Sequence, residues 1–523
     1  MGTGGTALPL LDSGLVAGYL GAILALGLLL SRRHTSTGEY FLASRRASWP
    51  TVGLALVGSN ISPGALIGIT GSSYALGISV YNYDWMATVI LVIFALFFLP
   101  AILAARVYTI PEFLERRYDY RARIWFASLT LILYVLLDAA GALYCGLLVV
   151  RLIIPSLSFQ GGVLLLAVLS AVYAVTGGLR SVMYTQAAQA VIVLVSALLL
   201  AAFSFDRAGG WHTVMLATPH SYLSLIRPAD DPYMPWTGLV FGAPILAFYY
   251  WCTNQVIVQR MLASRSVDDG QRGALLAGFL KVLTLFVIVL PGVAGRVFYP
   301  HLAHGDEIYL RMAFGLLPSG LLGLLLAAFL GALLSQLSAT YNSAATLIAM
   351  DFVRRVRPEM DELTVVKWGR IATIGCMVIS VAWVPQIARF PSLWQYFQAV
   401  LAYATPPVVV LFLAGILWPK ANARGAFAAI VAGSGLGITF FAFAVFGAVQ
   451  VQFLHVAFLV FVASLIALTL GSLCGEPAAA ATDDRDVLNL ATVIEYFRRD
   501  SRGVRGWAAA LLAVTAMIVI WFR

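Results

Sequence analysis

The chain has 523 residues, is 61% hydrophobic and only 11% charged, and carries a formal net charge of +9. So apolar a composition excludes an ordinary soluble domain, and the length suits one large polytopic membrane unit. The basic residues are spread through the connections between apolar stretches, which ties them to membrane orientation and leaves no expectation of a nucleic-acid partner.

A spanning helix needs about 20 mostly apolar residues. Fourteen segments qualify, near 14–30, 51–79, 81–104, 124–150, 160–178, 183–204, 237–259, 274–295, 312–348, 368–388, 396–417, 425–446, 453–473 and 506–522. The expectation is an all-α polytopic membrane protein, a single transporter domain over 1–523 held in the lipid bilayer. With both termini placed outside, twenty-five of the 33 basic residues fall in inner connections, among them Arg45, Arg116, Arg117, Arg123, Arg260 and Arg354. Seven fall outside, from Arg151 to Arg523, and Lys281 lies within a span. This is the positive-inside asymmetry. The first apolar stretch has no basic region before it and no evident cleavage site, so it reads as a retained span. The high Ala, Arg and Gly content fits a GC-rich genome and a bacterial inner membrane.

The second segment contains Gly58-Ser59-Asn60-Ile61-Ser62-Pro63-Gly64. Proline cannot donate to the helix ladder and glycine weakens it, so a break is expected here. The seventh carries Gly242-Ala243-Pro244, a second expected interruption. Irregular backbone within a membrane is tolerated where it lines a cavity or is buried in protein. Paired breaks five spans apart point to an inverted-repeat transporter with a midplane site.

Lys281 is read as the one lysine or arginine well inside an apolar segment, and a cation there needs a partner or a purpose. Asp84 and Asp138 are intramembrane acids, equally costly. Gln186, Gln189 and Gln398 add amides, and Ser335 to Ser343 adds hydroxyls whose bland alternative is helix packing. The four cysteines have no Cys-x-x-Cys spacing and read as isolated buried thiols. Between Cys474 and the last span, Pro477 and an alanine run precede an amphipathic stretch, Val487 to Phe497, that suits the cytoplasmic membrane surface or a solvated linker. No Walker, Gly-x-Ser-x-Gly or His-Glu-x-x-His pattern appears, so no enzyme chemistry is expected. A membrane sensor that binds solute to signal is the reading from another class, and it is not expected because no signalling domain is read in the sequence.

Several motifs resemble the sodium:solute symporter family, closest to its sodium/glucose cotransporter-like branch. They are Gly58-Ser-Asn-Ile-Ser62 with Gly68 and Gly71; Tyr83-Asp-Trp85; Tyr108 to Arg117; Thr176-Gly-Gly-Leu179; Tyr249 to Arg260; and Asn342-Ser343 with Met350-Asp351. The resemblance runs from about residue 14 to 475. It implies a LeuT-type core of two inverted five-helix repeats, about 51–204 and 237–417, with peripheral helices at 14–30 and 425–522.

For the solute, a small polar molecule of monosaccharide type, the resemblance implies Asn60, Asp84, Tyr250, Trp251, Lys281, Trp394 and Gln398. Tyr250 would stack on the sugar ring at an inner gate, and Trp394 stands at an outer gate. Asp84 occupies a position usually held by Glu. Ala65 and Ala247 depart from the pattern by offering no side-chain hydrogen bond. For Na+, the coupling ion, it implies the carbonyls of Gly58, Ile61 and Ala332 and the hydroxyl of Ser335, with Gln336 where a second Ser or Thr is usual. Gln186 stands where an acid lies on the ion's inner path. These two changes leave a sodium-independent uniporter or a proton-coupled carrier, through Asp138 or Asp84, as the alternative. No obligate protein partner is expected.

Overall fold

The computed structural model describes residues 8–30, 46–104, 110–154, 156–174, 179–302, 304–387, 392–446, 451–474, 490–499 and 502–523. Tyr108, Thr109, the Thr176-Gly-Gly stretch and the Pro477-alanine segment of the sequence reading lie outside them. Among the described residues the chain is helical, with no strand and two isolated bridges, Ala47 with Ser264 and Arg227 with Pro235.

The first helices are α1 (Leu10–Leu30), α2 (Trp49–Asn60), α3 (Pro63–Leu76), α4 (Asn82–Ile93), α5 (Tyr120–Leu133), α6 (Ala140–Ile153), α7 (Phe159–Ala174) and α8 (Leu179–Arg207). Then follow α9 (Trp236–Phe241), α10 (Ala243–Phe248), α11 (Gln255–Leu262), α12 (Val267–Thr284), α13 (Leu290–Phe298), α14 (Leu321–Leu347) and α15 (Glu362–Ile387). The set closes with α16 (Leu393–Ala404), α17 (Pro406–Leu417), α18 (Ala423–Phe446), α19 (Phe453–Leu473), α20 (Leu490–Arg499) and α21 (Arg502–Trp521). Every one of the fourteen apolar segments carries helix. By length and composition nine described helices are able to cross a membrane, or eleven if each of two bent pairs is one span. The 237–259 segment is not among them, because it is divided into α9, α10, a π turn and α11.

The break in the second segment falls where the residues require it. α2 ends at Asn60, Ser62 is extended (φ −75°, ψ 162°) as a residue before proline prefers, and Pro63 opens α3. The Ser62 hydroxyl caps α3 by accepting the Ala65 N–H at 3.2 Å, and the two helices meet at 60°. The expected interruption at Gly242 is a helix boundary: α9 ends at Phe241, Gly242 turns with right-handed helical angles (φ −98°, ψ −47°), and Pro244 sits in the first turn of α10. The chain leaves the helix again at Asn254 (φ −67°, ψ 119°), after a π turn at Tyr249–Thr253, and the Asn254 side chain caps α11. A further bend of 51°, between α16 and α17 at Thr405-Pro406-Pro407, cuts a segment that hydropathy reads as continuous.

The helices sort by burial. The best spanning windows of Leu321–Val356 and Val267–Phe298 are 83% and 72% buried, against 28% for Ala423–Ala444 and 22% for Arg502–Trp521. α12 and α14, with the α5–α6 span at 72%, therefore form the inner bundle, α8 is half-buried against it, and α18, α19 and α21 lie on its rim. α2 crosses α12 closely because Gly53 and Gly273 face it. A Cβ on Gly53 would stand 2.7 Å from Leu276, and one on Gly273 2.6 Å from Val52. Small residues at such crossings are how membrane helices gain packing contact.

Candidate functional site

The solute cavity is built around the end of α2. Asn60 and Ser62 reach it from the broken helix, Asp84 from α4, Lys281 from α12, Trp394 and Gln398 from α16. A π turn at Tyr134–Ala139, between α5 and α6, brings Asp138 to the same cavity, and the π turn at Tyr249–Thr253 brings Tyr250 and Trp251. All seven solute residues expected from the sequence thus line one cavity. Asp138 and Gln336 line it too.

Lys281 is 3% exposed, and its ammonium donates to the Asp84 carboxylate. Thr284 donates to the other Asp84 oxygen at 2.7 Å. Thr284 lies one helical turn after Lys281, so the two share a face. The pair satisfies the expectation that a buried cation carries a partner, and it leaves the ammonium further N–H donors toward the cavity. Trp251 lies below, its ring centroid 6.0 Å from the ammonium, and packs edge-on against Tyr250. Because Asp84 is engaged by Lys281, Asp138 is the better placed of the two candidate proton carriers.

Two further cavities flank this one. The outer is lined by Ser72, Tyr83, Tyr233, Trp394, Gln395 and Gln398. Tyr83 and Trp394, whose rings meet edge-on at 5.7 Å, line both the outer and the solute cavity. The inner cavity holds Gln186, Asn254, Arg260 and Thr340, and shares Ser59, Asp138, Tyr250 and Gln336 with the solute cavity. The central cavity is therefore bounded by aromatic side chains on both sides.

The inner cavity corrects the view of Lys281 as the one buried cation. Arg260, counted above in an inner connection, is 2% exposed. Its Nε and Nη2 donate to the Gln186 amide oxygen at 3.1 and 2.8 Å, and Nη1 donates to the Val256 carbonyl. Ser59 donates to the same Gln186 oxygen at 3.2 Å. Gln186 thus joins α2, α8 and α11. Hydropathy missed Arg260 because it follows the helix break at Asn254, where the segment turns back under protein.

Of the expected ion ligands, Gly58 and Ile61 sit at the break. α2 ends at Asn60, and no backbone N–H among the described residues donates to either carbonyl. That leaves two oxygens free for a cation. Gly58 also lies hard against the backbone of Gln186, where a side chain would collide. Ala332, Ser335 and Gln336 lie on α14; Ser335 is fully buried with no partner for its hydroxyl. Gln336 departs from the other four by facing the cavities.

The remaining motifs tie helix ends together. Arg117 donates to the carbonyls of Gly415, Trp418 and Ala421, closing the end of α17. Arg123 bridges Glu115 and Asp351, and Arg355 adds a second bond to Glu115. Burial alone would raise the Glu115 carboxyl, but the hydrogen bonds from Arg123 and Arg355 hold it below its usual range.

The sequence profile of the sodium:solute symporter family matches residues 40–433. The chain belongs to that family. It is 33% identical over 466 residues to sodium/glucose cotransporter 4 of Danio rerio, covering 82% of this chain and 71% of the relative. It is 36% identical over 459 residues to sodium/myo-inositol cotransporter 2 of Oryctolagus cuniculus, covering 80% and 68%. Among solved structures, a Na+-coupled sialic acid symporter superimposes with a TM-score of 0.79 at 21% identity, covering 90% of this chain and 99% of that one. A nucleobase-cation-symport-1 family transporter gives 0.53 at 13% identity, covering 89% and 99%. These two likenesses establish the LeuT-type fold. This family member is an integral membrane transporter that couples a small polar solute to Na+.

Proposed function

We propose that the chain imports a neutral, monosaccharide-like polyol with Na+ by alternating access, without chemical change to the solute. The observation that carries this reading is the convergence of Asn60, Asp84, Tyr250, Trp251, Lys281, Trp394 and Gln398 on one cavity with aromatic walls on both sides. Convergent polar groups suit a polyol, since each unmatched buried polar group would cost about 1–3 kcal/mol. The Lys281–Asp84 pair is neutral as a unit, which suits an uncharged cargo. Relatives named for glucose and myo-inositol support the class. Tyr250 stacks on the ring and closes the inner side; Trp394 closes the outer.

The ion is held by the carbonyls of Gly58, Ile61 and Ala332 and the Ser335 hydroxyl, oxygen ligands suited to a hard cation. One charge crossing 100 mV supplies about 2.3 kcal/mol, enough for tens-fold accumulation. The repeats run over about 51–204 and 237–417. The orientation follows the arginines, with both termini outside a bacterial inner membrane. Uptake into proteoliposomes decides the matter, using labelled glucose, galactose and myo-inositol with and without an inward Na+ gradient. Saturable, Na+-stimulated uptake of one of them is the expected result. Na+-stimulated uptake confined to charged solutes, or polyol uptake indifferent to Na+, would overturn the reading.

A further inference from the structure

We propose that Thr284 is a positioning residue that sets solute selectivity in the central cavity. By occupying Asp84 it leaves the Lys281 corner a hydrogen-bond donor, so the preferred polyol turns an accepting oxygen toward it. This deepens the polyol reading above and rests on it. Thr284 is fully buried and does not line the cavity; it acts through Asp84, which does.

A threonine in an apolar helix commonly bonds back to its own helix. Thr284 does so, donating to the Lys281 carbonyl at 2.6 Å. The same hydroxyl also reaches across to α4 and donates to one Asp84 oxygen at 2.7 Å. Lys281 donates to the other. Both carboxylate oxygens thus have a donor from α12, and the carboxylate charge is matched by the ammonium. The Asp84 backbone is tied as well, since its carbonyl accepts the Thr88 hydroxyl at 3.2 Å.

The ammonium is in the opposite position. It has three N–H donors. Among the described residues only the Asp84 carboxylate accepts from it. Trp394 adds another unused donor, because its indole N–H is buried without a partner and the residue lines the same cavity. The unused acceptors are the amide oxygens of Asn60 and Gln336, both buried without a donor. Gln336 borders the inner cavity, whereas neither Lys281 nor Trp394 does. The central cavity is therefore polarised, with spare donors away from the inner cavity and a spare acceptor beside it. A polyol matches it with an accepting oxygen toward Lys281 and an O–H toward Gln336, because each buried group left unmatched weakens binding. Without the Thr284 hydroxyl, Asp84 would offer an acceptor at the Lys281 corner and draw a solute O–H there instead.

The test is uptake into proteoliposomes of the transported parent among glucose, galactose and myo-inositol, beside its monodeoxy and monodeoxyfluoro derivatives. Fluorine on carbon accepts but cannot donate, and hydrogen does neither. In the wild type, one ring position should tolerate fluorine within about threefold in KM, while hydrogen there raises KM about tenfold or more. Thr284→Val frees an Asp84 oxygen, so fluorine at that same position should now raise KM about tenfold over the parent. Thr284→Ser keeps the hydroxyl and should keep the wild-type pattern. Thr284→Ala takes the place of the valine variant if that one does not fold. Fluorine as harmful as hydrogen at every wild-type position overturns the proposal, and so does a fluorine pattern unchanged in Thr284→Val. Equal weakening of every derivative in Thr284→Val marks a structural role and overturns it too. If none of the three parents is taken up, the polyol reading falls and this one with it; uptake with the wrong pattern removes this one alone.

Discussion

Among the described residues, the two buried cations are held in opposite ways. Lys281 faces a carboxylate, Asp84, and the pair is neutral. Arg260 faces the amide oxygen of Gln186 and a backbone carbonyl, and keeps its full charge among neutral acceptors. The difference sets two fields: the neutral pair adds no net charge to the central cavity, whereas the guanidinium shares its cavity with the Asp138 carboxylate.

The largest effect that would sharpen this contrast comes from Lys281→Ala. It strands Asp84 without its partner, which should cost about 3–5 kcal/mol of stability and abolish uptake. The double variant Lys281→Met/Asp84→Leu should regain most of the stability and none of the uptake. Thermal melting in detergent and flux measurements read both; equal melting of single and double variants would break the idea that the charges support one another. On the Arg260 side, Gln186→Ala leaves a guanidinium short of its acceptor and should cost about 1–3 kcal/mol. Gln189→Leu is the matched control, because the Gln189 amide nitrogen is buried without a partner and its loss should be nearly neutral.

Smaller effects follow from the caps beside the two regions. Asn254→Ala removes the hydrogen bond to the Val256 N–H that starts α11, for a loss of about 1 kcal/mol seen as a lower melting temperature. The weakest effect concerns Asp306, beside the start of α16. One of its oxygens accepts the Leu393 N–H that begins α16; the other is buried without a partner. Burial raises its pKa to about 6 from 3.8, against the Leu393 hydrogen bond and His304, which lower it. A raised carboxyl favours folding when protonated. Its contribution is full below pH 3.8 and is lost as pH rises through 6. Melting followed between pH 4 and 7 should show that component in the wild type and lack it in Asp306→Asn.

Much of this was legible in the sequence, for physical reasons that can be named. The break at Ser62-Pro63 was readable because proline there dictates its neighbour's backbone. The expected solute residues converge because each is a polar or aromatic group placed where hydrocarbon would otherwise be cheaper. Gly242-Pro244 was readable too, since the glycine and proline mark the boundary between α9 and α10. The further departure at Asn254 is marked only by a capping side chain, a signal as local but quieter. Arg260 was hidden for a related reason. Counting charges along a chain assigns loops to water, and this one folds back under the bundle. The pairing of Lys281 with Asp84 needed the fold, since 197 residues separate them.

Among the described residues five π turns punctuate the bundle, at Phe94–Phe98, Tyr134–Ala139, Tyr249–Thr253, Leu285–Val289 and Ile348–Val353. Each accommodates one residue more than an α-helix would. A single-codon deletion within such a turn would restore regular winding and rotate everything beyond it by about 100°. Such deletions at Tyr134–Ala139 or Tyr249–Thr253 should yield well-inserted, abundant protein that carries nothing. Gene surveys that score this family by substitutions alone would overlook the change that most cheaply silences it.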